Sequence, residues 1–107
     1  MGMSGRLDIT DRQREEIMTL LSRYLPGVKI WAFGSRVKSS ARPHSDLDLV
    51  AFAKPDQKTR LSELKEAFEE SSLPFRVDLH VWLELPESFQ KNIEAEYAVL
   101  QEAYPES

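Results

Sequence analysis

A small α/β (α+β) domain, with a mixed β-sheet covered by helices, is the fold class that this 107-residue sequence predicts. Three observations predict it. Segments of helical apolar period take turns with segments that read as strands. Proline, glycine and serine pairs separate them at short intervals. No repeat, low-complexity tract or long linker divides the chain, so residues 1–107 read as a single domain of ordinary size.

The elements follow in order. Thr10 with Gln13 forms a capping box, and Ile17, Leu20, Leu21 and Tyr24 then keep helical spacing up to the Pro26-Gly27 stop. Val28–Phe33 is a β-rich apolar run and predicts a strand. After Gly34-Ser35 a short helix is expected, then a second strand over Leu47–Ala53, stopped by Lys54-Pro55. Asp56 caps a helix with Leu61, Leu64, Ala67 and Phe68 on its apolar face, ending at Ser71-Ser72. Pro74 precedes a third strand, Phe75–Trp82, in which Phe75, Val77, Leu79 and Val81 alternate with Arg76, Asp78, His80 and Trp82. Pro86 opens a last helix to about Glu96, with Phe89 and Ile93 as its core contacts. Tyr97–Leu100 reads equally as a strand or a helix extension. Trp31, Phe33, Phe75 and Trp82 read as core or interface residues, and Tyr97 and Tyr104 as packing and tail residues.

Composition narrows the function. There is no cysteine, which removes disulfides and thiolate metal sites. No apolar run approaches the ~20 residues of a membrane span, and MGMSGR has no signal-peptide core. The cytoplasm is therefore the expected location. Met1–Gly5 read in part as an expression scar, and residues 1–6 as disordered or tag-derived. A net charge of −4 argues against stable binding to a polyphosphate backbone. The charge is uneven, however. Arg36, Lys38 and Arg42 fall within seven residues, while the other 11 of 14 basic residues face 18 acidic ones. A local cationic spot beside carboxylates suits a small phosphate ligand that carries its own metal.

Those carboxylates are Asp46 and Asp48. Two apart on a strand, they leave the same face while Leu47 and Leu49 enter the other. Oxygen donors about 6–7 Å apart along a strand favour Mg²⁺ or Mn²⁺ shared with substrate phosphates. Two such ions hold the attacking and leaving oxygens of an in-line phosphoryl displacement. Asp78 offers a third carboxylate if the strands around 47–53 and 75–82 pair, and there it could accept the proton of an attacking hydroxyl. Gly34 lets backbone amides approach a phosphate, Ser35 adds a hydroxyl donor, and Arg36 neutralises charge. Lys38 and Arg42 read as solvated loop cations. His44 reads as an exposed loop residue, and His80, which shares a face with Asp78, as a packed or surface histidine.

Gly34-Ser35, ten intervening residues and Asp46-Leu47-Asp48, with Asp78 on a later strand, resemble the nucleotidyltransferase superfamily of the DNA polymerase β type. Short length together with the WAFGSR, SDLDL and RVDL runs resembles the minimal nucleotidyltransferase (MntA-like) family, antitoxins paired with HEPN-domain ribonuclease toxins. The resemblance implies a polymerase-β-like palm that transfers AMP from ATP to a toxin tyrosine with two Mg²⁺ per site. It implies Gly34, Ser35 and Arg36 at the nucleotide phosphates and Asp46, Asp48 and Asp78 at the metals. A HEPN toxin is then the expected partner, with homodimerisation open to the chain alone. Little of the chain is left over to hold an acceptor, which again favours a protein partner. The rival readings are an antitoxin that neutralises by binding alone, a two-subunit enzyme acting on a small molecule or RNA end, and a plain nucleotide-binding module.

Overall fold

The computed structural model describes residues 7–38, 42 and 44–103, so the expectations for residues 1–6 and for Tyr104 lie outside the described residues. Helix α1 (Asp11–Tyr24) begins as the sequence predicts. The Thr10 hydroxyl accepts from the Gln13 amide at 3.1 Å, and the Gln13 side chain accepts from the Thr10 amide at 2.9 Å. Such a cap contributes about 1 kcal/mol. Ile17 and Leu21 form its buried stripe.

Four strands follow: β1 (Ile30–Phe33), β2 (Leu47–Ala51), β3 (Val77–Val81) and β4 (Ala98–Gln101). Helix α2 (Lys58–Glu69) lies between β2 and β3, and α3 (Glu87–Ala95) between β3 and β4. The sheet order is β3-β2-β1-β4. β1 runs antiparallel to both β2 and β4, and β2 runs parallel to β3 through the α2 crossover. The sheet is therefore mixed, as expected.

The two sides of the sheet differ. Ile30, Ala32, Leu47, Leu49, Ala51, Leu79, Ala98 and Leu100 join α1 and α2 in one continuous core. Leu61, Leu64 and Phe68 are the residues through which α2 closes it. The opposite side carries a smaller cluster of Phe33, Val50 and Ile93, rimmed by half-buried Trp31, Phe52, Trp82, Leu85 and Tyr97. There Trp31 stacks on Tyr97 (3.8 Å, 13°) and Phe52 on Trp82 (4.6 Å, 28°).

Several elements depart from expectation. Residues 35–38 make one helical turn and no helix: the Val37 and Lys38 amides both donate to the Gly34 carbonyl, at 3.0 and 3.1 Å. Pro55–Gln57 is a 3₁₀ turn, so Asp56 sits inside that turn and does not cap α2. The 97–100 segment is resolved as strand, because β1 has a free edge that Ala98–Gln101 completes. Of the two expected core contacts of α3, Ile93 is buried and Phe89 is 40% exposed.

Candidate active site

Asp48 lies between Leu47 and Leu49, both fully buried in the main core. Strand alternation therefore turns its carboxylate to the opposite side of the sheet. The parallel register pairs Asp48 directly with Asp78, and Val50 with His80. Adjacent strands are about 4.8 Å apart, so three side chains from two strands converge. One ligand atom each from Asp48, Asp78 and His80 lies within 4.8 Å of the others. His80 Nε2 is 3.5 Å from Asp78 Oδ2. The pairing that Asp78 required is thus present.

Burial, then the Asp78 carboxylate, push the Asp48 carboxyl above its ordinary value; Asp46 adds to the rise and His80 opposes it. A carboxylate whose ionisation is penalised by burial and by a neighbouring carboxylate forms a receptor for a cation, and oxygen donors of this kind fit Mg²⁺ or Mn²⁺. The residues present fit a divalent metal on that ground. Asp46 is placed differently from its two partners. It precedes β2, whose first ladder residue is Leu47, and it is exposed. Among the described residues it stands outside the converging set, close enough to act on Asp48 through charge.

Gly34 is fixed by this neighbour. Its φ is +84°, and a Cβ on it would stand 2.5 Å from Asp48 Oδ2. Both the left-handed backbone and the close approach demand glycine. Its peptide therefore lies directly against the acidic site, with Ser35 next in the turn.

Arg36, expected at the nucleotide phosphates, has a different environment. It is only 6% exposed. Its guanidinium donates to the carbonyls of Asp8 (2.9 Å), Ser45 (3.0 Å) and Arg42 (3.4 Å), and it lies 4.1 Å over the Phe75 ring. The Arg36 carbonyl in turn accepts from the Asp8 amide at 2.8 Å. Arg36 thus ties the start of the loop to its end at Ser45, one residue before Asp46, and sets where the acids begin. Lys38, Arg42 and His44 are exposed.

His80 is the residue that sequence reasoning placed elsewhere. Its signal was the shared alternation with Asp78; the convergence with Asp48 depends on strand pairing. Asp78 also lines a cleft of about 440 Å³ between α2 and β3, with Lys65 and Arg76 on its wall.

Comparison with known proteins places the fold and the family. Residues 14–100 match the nucleotidyltransferase domain family. A Haemophilus influenzae protein named "Probable protein adenylyltransferase MntA" is 43% identical over 99 residues, covering 92% of this chain and 87% of that protein. The crystal structure of a toxin–antitoxin with AMP-PNP superimposes with a TM-score of 0.65 at 19% identity, over 84% of this chain and 73% of that one. An MntA–HepT toxin–antitoxin crystal structure gives a TM-score of 0.55 at 16% identity, over 88% and 74%. At such identities the two structures speak to the fold. Among the described residues, no helix is long and apolar enough to cross a membrane.

Proposed function

We propose that this chain, which belongs to the nucleotidyltransferase domain family, transfers AMP from ATP to a tyrosine hydroxyl of a HEPN-domain ribonuclease and thereby acts as its antitoxin. The observation that carries the reading is the in-register pair Asp48 and Asp78 with the Gly34 peptide packed against Asp48. The 43% identical relative named as a protein adenylyltransferase supports the reaction. The toxin–antitoxin assemblies that share the fold support the partner and the nucleotide. The acidic net charge supports a protein acceptor over a polynucleotide.

Asp48 and Asp78, with Asp46 at the edge, would hold Mg²⁺ or Mn²⁺, two ions in the full site. When bound, the metal neutralises phosphate charge and makes the hydroxyl easier to deprotonate. The protein's own part is positioning. The Gly34-Ser35 turn offers a backbone amide and a hydroxyl to the triphosphate, and Arg36 keeps that turn in register with the acids. Asp78, half-exposed on its strand, takes the proton of the attacking hydroxyl. The hydroxyl oxygen bonds to the α-phosphorus, the bond from α-phosphorus to the bridging oxygen breaks, and pyrophosphate leaves with that electron pair.

The test mixes the purified protein with α-³²P-ATP, Mg²⁺ and the protein encoded beside it, with Asp48→Asn as control. Label on the neighbour's tyrosine, absent in the control, is the expected result. A stable, neutralised complex without label would overturn catalysis as the basis of neutralisation. Label on RNA or a small molecule would overturn the acceptor.

A further inference from the structure

We infer that His80 is a direct metal ligand through Nε2, which makes the site a mixed nitrogen–oxygen one that favours Mn²⁺ over Mg²⁺. The inference rests on the metal-dependent reading of Asp48 and Asp78 and adds a ligand and a preference to it. It starts from register: His80 pairs with Val50 one step beyond the Asp48–Asp78 pair, on the same face of the sheet, so the fold aims it at the acids. Its ring lies against a pair of aromatics, 5.6 Å from the Phe33 ring and 6.4 Å from the Phe89 ring, themselves 5.8 Å apart, and they restrict where the imidazole can turn on that side.

The distances fit an ion better than they fit a direct contact. His80 Nε2 stands 3.5 Å from Asp78 Oδ2, beyond the 2.7–3.2 Å or so of a good N–H···O bond. Two ligands each about 2.1 Å from one ion lie between about 3.0 and 4.2 Å apart, from adjacent to opposite positions. The pair falls inside that range. The outermost separation in the set, within 4.8 Å, closes by a small side-chain adjustment.

Chemistry then sets the preference. Mg²⁺ is a hard ion that keeps oxygen donors and its own waters. Imidazole is a softer donor that suits first-row transition ions. An all-carboxylate site discriminates weakly between Mg²⁺ and Mn²⁺, whereas one imidazole in the shell tilts it toward Mn²⁺.

The test uses the full-length protein with Mn²⁺ and inorganic tripolyphosphate, which carries no nitrogen, observed by electron spin-echo envelope modulation. A ¹⁴N coupling on bound Mn²⁺ is expected, converting to ¹⁵N when the histidines are ¹⁵N-labelled. It should persist in His44→Gln and vanish in His80→Gln. In the same protein, Mn²⁺ affinity read from the free-ion signal should fall about tenfold or more in His80→Gln, the least that losing even an outer-shell partner costs. Mg²⁺ affinity, read by competition, should fall less than about threefold. Bound Mn²⁺ without nitrogen coupling, or a coupling that survives His80→Gln, overturns the ligand role and leaves the carboxylate site standing. Absence of Mn²⁺ and Mg²⁺ binding in the wild type overturns both. Should His80→Gln fail to fold, the labelled wild type and His44→Gln still decide the matter.

Discussion

The two sides of one sheet are built from the same strands and obey different rules. On the side covered by α1 and α2, every second strand residue is aliphatic and packs on the core; Leu47, Leu49 and Ile30 have no exposed surface, and only Val77 and Val81 at the ends of β3 are partly open. On the other side, α3 covers only part, and Phe33, Val50 and Ile93 are the buried residues beside half-open acids and aromatics. Asp48 is one residue away from the deepest core on either side. The lesson is that the closed side fixes the open one. A carboxylate whose flanking leucines are immobilised keeps its place with few contacts of its own, and chemistry that needs fixed geometry gains from that.

The comparison breaks most sharply with paired substitutions. Asp48→Asn should lower AMP transfer by about 10³-fold or more, since metal-borne stabilisation is several kcal/mol and each 1.4 kcal/mol is tenfold. The fold should remain, as judged by a single cooperative melt. Leu64→Ala, fully buried on the closed side, should do the reverse. Stability should fall by about 2–5 kcal/mol, while transfer per folded molecule stays near wild type. Loss of activity in the leucine variant beyond its unfolded fraction would mean the two sides are not separable.

Gly34→Ala sharpens the boundary. The new Cβ would meet Asp48 Oδ2 at 2.5 Å on a backbone of φ +84°. The left-handed conformation costs about 1–2 kcal/mol, and relief of the clash moves the carboxylate. A displacement near 1 Å is worth about 100-fold in rate. Steady-state transfer with a matched thermal melt measures both. Wild-type activity would show that the Gly34 peptide does not set the position of Asp48.

Arg36→Lys comes next. It keeps the charge and loses the fork that reaches three carbonyls. About 2 kcal/mol of stability should go, with little change in the KM for ATP. A large rise in KM without loss of stability would return Arg36 to the phosphates.

These variants also mark what was legible in the sequence. The capping box of α1 and the alternation of β3 were readable, because each rests on local period; the pairing that sets Asp78 beside Asp48 was only a condition in the sequence, and the parallel ladder meets it. Arg36 was not. Its burial comes from Asp8 and Phe75, 28 and 39 positions away along the chain, which no local pattern records. The strand at 98–101 stayed ambiguous because four residues carry too little period, and only the open edge of β1 decides it. Asp46 and Asp48 looked equivalent as a spaced pair. The ladder starts at Leu47, and that leaves one aspartate at the mouth and the other inside. Phe89 fits a helical stripe, yet α3 meets a narrow cluster that has room for Ile93.

The smallest effect expected is on stability, and it inverts with metal. The Asp48 carboxyl is held above its ordinary value by burial first and by Asp78 second. The folded state therefore holds that proton more tightly than the unfolded chain does. Its contribution to stability is full below the ordinary carboxylate range and is lost as pH rises through the raised value. At neutral pH, without metal, the ionised carboxylate is a liability of the open side. Asp48→Asn removes it, so the variant should melt slightly higher than wild type in chelator-treated buffer, with the gap closing as pH falls into the carboxylate range. Added Mg²⁺ or Mn²⁺ should raise the wild-type Tm by binding the native state and leave the variant nearly unmoved, so the order of the two melts reverses. A variant that melts lower than wild type in both buffers would mean that Asp48 supports the fold through contacts. The open side would then be no less structural than the closed one.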